Sequence, residues 1–70
     1  GFEILAPARV ASFLFAKHAC WVNYSTLPAE VELKGLAIDA ASLFSDSANT
    51  AATEKTVLLA PGSFALVERA

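Results

Sequence analysis

The residues best suited to chemistry stand together at Lys17-His18-Ala19-Cys20, with Asn23 just beyond. A thiolate activated by a neighbouring imidazole is a working nucleophile, and an Asn side chain can orient the base. On an extended strand His18 and Cys20 project from one face, roughly 6.6 Å apart at about 3.3 Å per residue. Proton transfer needs an approach of roughly 3 Å, which neighbours two residues apart reach only with favourable rotamers. A small Cys/His-dependent enzyme is therefore the alternative reading. The plainer expectation is a buried Cys20 beside a surface His18, because free Cys behaves as a small hydrophobe and Ala19, Trp21 and Val22 around it are apolar.

Other chemistry-bearing residues are more scattered. Glu30 and Glu32 share one strand face, with Asp39 and Asp46 in less regular context. Paired carboxylates serve glycoside hydrolysis only across a substrate cleft. A chain of 70 residues hardly builds one, so a solvated face with Lys34 as charge neighbour is expected. Trp21 and Tyr24 are the candidate ligand or partner contacts, since aromatic rings stack on sugars and anchor interfaces. Three positions apart on a regular strand, they point to opposite faces; Trp21 is the better core residue and Tyr24 the better surface one. Asn23-Tyr24-Ser25 also fits the N-glycosylation pattern. No spacing of His18, Glu30 and Glu32 recommends a metal site.

Composition narrows the class. The chain is 56% hydrophobic and 17% charged, with net charge -2. Disorder needs low hydrophobicity and nucleic-acid binding needs clustered positive charge, so neither is expected. The longest apolar region, 8–22, contains Arg9, Lys17 and His18, whereas a membrane helix needs about 20 apolar residues. One domain spanning 1–70 is expected, and a domain this small has a marginal core. A single cysteine makes no internal disulfide, and with a single histidine it cannot complete a structural zinc site. No cofactor follows from the residues, and the stabilising contribution falls to a protein partner or a homo-oligomer. The chain starts at Gly1 without the residue order of a signal peptide and reads as a processed product or a piece of something longer. A lone thiol assigns no compartment.

The elements that position these residues read mainly as strands. Glu30-Val31-Glu32-Leu33-Lys34 alternates strictly between Pro28 and Gly35, placing Val31 and Leu33 on a core face. Residues 56–60 and 63–68 are strand formers on either side of Pro61-Gly62. Phe2-Glu3-Ile4-Leu5 reads as a short strand that ends near Pro7. The stretch 10–22 favours a central strand with Phe13 to Ala16 buried on both faces, although helix is not excluded. At 36–44, Leu36, Ala40, Leu43 and Phe44 give the best helical period in the chain, against the weakening effect of Gly35 and Ser42. The polar small-residue run 45–54 predicts an exposed, mobile loop. Leu5-Ala6-Pro7 recurs as Leu59-Ala60-Pro61, which as a repeat would leave little more than one unit in this chain.

The segment from Phe2-Glu3-Ile4-Leu5-Ala6-Pro7-Ala8-Arg9 to Val10-Ala11-Ser12-Phe13 resembles the closing strand of the C-terminal β-sandwich of α-amylase-superfamily enzymes. Trp21-Val22-Asn23-Tyr24-Ser25, Val31-Glu32-Leu33 and the stretch from Val57-Leu58-Leu59-Ala60-Pro61 to Val67 also resemble that small domain or its counterpart in other glycosidases. The resemblance implies a non-catalytic accessory β-sandwich, because in these enzymes the catalytic groups sit in the barrel domain.

The expectation is thus an all-β domain, a small antiparallel β-sandwich or open barrel of five to seven short strands, with at most one short helix near 36–44. Phe2, Ile4, Phe13, Phe15, Trp21, Val31, Leu33, Val57, Leu59, Phe64 and Leu66 supply its expected core. The expected function is a structural or interaction module that packs on a partner domain or self-associates. Carbohydrate binding through an exposed aromatic is a further alternative.

Overall fold

The computed structural model describes residues 3–5, as backbone, and 9–70. Among these the chain forms eight strands and no helix: β1 (Glu3–Leu5), β2 (Val10–Leu14), β3 (His18–Asn23), β4 (Ala29–Lys34), β5 (Ile38–Phe44), β6 (Ala51–Ala52), β7 (Thr56–Leu59) and β8 (Phe64–Arg69). They make two four-stranded antiparallel sheets, ordered β1-β4-β7-β6 and β2-β3-β8-β5. The all-β class holds, and the count exceeds seven because the small-residue run contributes the two-residue β6.

The first sheet follows simple alternation. On β4, Val31 and Leu33 are buried while Glu30, Glu32 and Lys34 are exposed, and on β7 Val57 and Leu59 face in while Leu58 faces out. Its outward side is therefore largely polar, and Glu30 and Glu32 lie on solvated strand as expected. The Ala60-Pro61-Gly62-Ser63 connection closes with Ser63 N–H donating to Ala60 O at 3.1 Å. Pro61 sets the first corner and Gly62, at φ +67°, supplies the left-handed second corner of a type II turn.

The second sheet departs from the expected pattern in three places. Residues 10–22 are two strands, not one: Phe15 N–H donates to His18 O at 2.8 Å across the Ala16-Lys17 turn, folding β2 back on β3. That makes β2 an edge strand, so Phe13 and Phe15, expected in the core, are 46% and 55% exposed. On β8 the inward residues are Ala65 and Val67, and Phe64 and Leu66 are only half-buried. Positions 64–67 are all apolar, so alternation among them cannot choose the face. Trp21 decides it: fully buried, it lies directly opposite Ala65, and Ala19 opposite Val67, so each large side chain on the inner face has a small neighbour. Of the other expected core residues, Phe2 and the side chain of Ile4 lie outside the described set.

The third departure is β5. Its first residues pair in one register with β8, Ile38 with Arg69 and Asp39 with Glu68, but Phe44 pairs with Leu66, a slip of three residues. The slip is a bulge held by Ser42, whose hydroxyl donates to Asp39 O at 2.6 Å and accepts Glu68 N–H at 2.7 Å. An odd-numbered slip reverses the side-chain parity. Leu36 and Ile38 face the core before it, and Leu43 packs on the core after it. The apparent helical period at 36–44 is two strand periods of opposite phase.

The run 45–54, expected as an exposed, mobile loop, is tied down at several points along its length. Thr50 is buried, its Oγ1 accepting Ala60 N–H at 3.1 Å and lying 2.7 Å from Ser63 Oγ. Ser63 Oγ in turn donates to Asp46 Oδ1 at 2.8 Å.

Candidate interaction face

With β2, β3, β8 and β5 in register, the outward side of the second sheet is legible row by row. Phe13 pairs with Cys20, Cys20 with Leu66 and Leu66 with Phe44, giving one row across all four strands. The next row holds Ala11, Val22 and Phe64. The row on the other side starts at the hairpin with Phe15 and His18 and continues through Glu68 to Asp39. Two adjacent rows are thus apolar across β2, β3 and β8, with Asp46 at the β5 margin beside Phe64, and the other charges of these rows lie in the third. Phe44 is 64% exposed and its ring lies 5.8 Å from that of Phe64, tilted by 47°.

The framework around this face is well tied. Arg69 donates through its guanidinium to Phe15 O and through its backbone N–H to Lys17 O, each at 2.8 Å, which fixes the hairpin tip to the end of β8. Phe64 N–H donates to Asp46 Oδ1 at 3.2 Å, and Ser45 Oγ donates to Phe64 O. The hydrogen bond from Ser63, with that from Phe64 N–H, holds the Asp46 carboxyl below the usual carboxylate range.

The chemistry expected at 17–23 divides between the two sides of the sheet. His18 and Cys20 do share the outward face. Asn23 points inward with Ala19 and Trp21, is fully buried, and donates from Nδ2 to Leu27 O at 2.8 Å and Ala60 O at 3.2 Å. It clamps the 23–27 turn to the end of β7, where it cannot orient an imidazole on the opposite side, and its engaged, buried amide leaves no place for a glycan. Burial among apolar neighbours pushes the Cys20 thiol up, opposite to what nucleophilic activation requires.

Trp21, a candidate contact in the sequence, has no exposed surface and is the largest fully buried side chain; its Nε1 has no hydrogen-bond partner among the described residues. Tyr24 is 64% exposed, as expected, beside the turn that Asn23 holds. Among the described residues no group of three or more His, Cys, Asp and Glu side chains is placed to hold a metal ion, and no helix is long and apolar enough to cross a membrane. Reasoning from sequence missed Phe13, Phe15 and Phe44 as exposed surface and Phe64 and Leu66 as outward-facing, half-buried residues. The strict charge alternation of β4 beside the unbroken apolar run of β8 was the available signal that the two sheets have unlike outer sides.

Fold and face together define a small two-sheet antiparallel β domain with one charged and one apolar outer side. No protein family, curated protein or solved structure matches the chain.

Proposed function

We propose that this chain is a non-catalytic interaction module that uses the outward face of the β2-β3-β8-β5 sheet to pack on a partner domain or on a second copy of itself. One observation carries the reading: the row Phe13-Cys20-Leu66-Phe44, backed by Ala11-Val22-Phe64, is apolar from edge to edge. The equivalent side of the other sheet carries Glu30, Glu32 and Lys34. Contiguous exposed apolar surface of this kind marks interaction sites, whereas single exposed apolar residues do not. The motif resemblance to glycosidase C-terminal sandwiches supports the same reading, since such a domain is an accessory that lies against a catalytic one. The separation of Asn23 from His18 and Cys20, and the raised thiol, weigh against the Cys/His enzyme.

The test is binding of an apolar fluorescent dye, anilinonaphthalene sulfonate, to the folded chain at low micromolar concentration. The wild type is expected to bind it and the Phe13→Asp/Phe44→Asp variant to lose most of that binding while staying folded by circular dichroism. Equal dye binding by both proteins, or none by the wild type, would contradict an exposed apolar interaction face.

A further inference from the structure

The face has a polarity along the strands that selects one occupant. Its apolar rows fill one end and the middle, with Asp46 at the β5 margin beside Phe64, and its other polar and charged groups lie at the far end, with Lys17 and His18 on the β2–β3 side and Glu68 and Asp39 on the β8–β5 side. We infer that the face is covered by a second copy of the chain, related by a two-fold axis that runs parallel to the strands; this rests on the reading of the face as an interaction surface.

Two sheet faces stacked as an isologous pair with aligned strands leave two choices of axis in the plane between them, along the strands or across them. With the axis across the strands, the row of His18, Glu68 and Asp39 would lie over Ala11, Val22 and Phe64 of the second copy. That buries carboxylates against apolar side chains without partners, which is costly. With the axis along the strands each row keeps its level and the strand order is mirrored, so β2 lies over the second copy's β5 and β3 over its β8. Phe13 then meets the second copy's Phe44, Cys20 its Leu66, and Val22 its Phe64. At the charged end His18 meets the second copy's Glu68, and Lys17 at the hairpin tip is in reach of its Asp39. Every contact occurs twice, and the polar end of the face meets polar groups in this arrangement alone. Like-charge or unpaired alternatives are penalised, which gives register as well as attraction.

Four strands at roughly 4.8 Å spacing and three rows of two residues each make a face of roughly 400 Å² per copy. That is about 800 Å² in all, the size of a weak, transient interface, so the dimer belongs in the range of roughly 10 µM to 1 mM.

Sedimentation equilibrium from roughly 10 µM to 1 mM tests the assignment on four proteins besides the wild type. Phe44→Asp weakens the dimer at least about tenfold. His18→Glu and Glu68→Lys each weaken it, and His18→Glu/Glu68→Lys restores it to within about threefold of wild type. All three substitutions are at residues with solvent-facing side chains, and Trp21 emission reports that each variant is folded. A wild type that stays monomeric throughout overturns the second copy as occupant; if it still binds the dye, the interaction-face reading stands. A dimer indifferent to Phe44→Asp places self-association on another surface and overturns the inference. A charge-exchanged double variant as weak as the single ones overturns the axis and with it the proposal.

Discussion

Asn23 shows how one polar side chain can do structural work at a position that looks chemical. Its amide closes the 23–27 turn through Ser25 N–H at 3.0 Å and holds the carbonyls of Leu27 and Ala60 from inside the core. Asn23→Ala removes those donors from buried acceptors and is expected to cost about 2 kcal/mol or more, read as a lowered midpoint in urea. Tyr24→Ala, one residue away on the exposed side, should change stability by less than about 0.5 kcal/mol. A similar cost for both would mean that the clamp contributes little. Asp46 gives a pH signature. Because its carboxyl is held low by Ser63 Oγ–H and Phe64 N–H, the folded state binds its proton less readily than the unfolded chain. Its stabilising contribution is complete above the unfolded value of about 3.9 and is lost as pH falls through the lower folded value. The urea midpoint of the wild type should therefore fall more steeply below about pH 4 than that of Asp46→Asn. Parallel curves would show that these hydrogen bonds do not persist in solution. At the same scale, Cys20 should alkylate slowly at neutral pH in the folded chain and fast in urea, since burial raises its thiol.

The strands were legible wherever polar and apolar residues alternate, as on β4. They were illegible where both faces are apolar. On β8 the four apolar positions 64–67 leave the choice between Phe64/Leu66 and Ala65/Val67 to Trp21, a neighbour some 40 residues earlier in the chain, and the local cue is confined to Glu68, which shares the parity of Phe64 and Leu66. The hairpin at 15–18 lacks glycine and proline, the residues that usually announce a turn, so β2 and β3 read as a single strand. On β5 the bulge turned two strand phases into a helical one. Ser42 is the residue that makes this register work, because its hydroxyl stands in for a β5 carbonyl as acceptor of Glu68 N–H. Ser42→Ala is expected to cost about 1 kcal/mol. It should also speed amide exchange at Glu68 while leaving the β4–β7 amides protected. Unchanged exchange at Glu68 would remove Ser42 from that role.

At the scale of the molecule, the high hydrophobic content of a 70-residue chain is divided unequally. Trp21, Val31, Val57, Leu59 and Val67 fill the space between the sheets, and the aromatic residues expected beside them, Phe13, Phe15 and Phe64, look outward instead or lie half-covered. Sequence alone gave the surplus of apolar residues but not its location, because location depends on which strand is an edge and which parity faces in. A small domain with two apolar rows on the outside of one sheet and charge on the outside of the other fits the proposed reading that one side is covered. The most direct measurement of that claim is sedimentation equilibrium of the wild type beside Phe44→Asp across the same concentrations. The account predicts a reversible dimer in the wild type that weakens at least about tenfold in the variant. Self-association that is identical in the two proteins would contradict it.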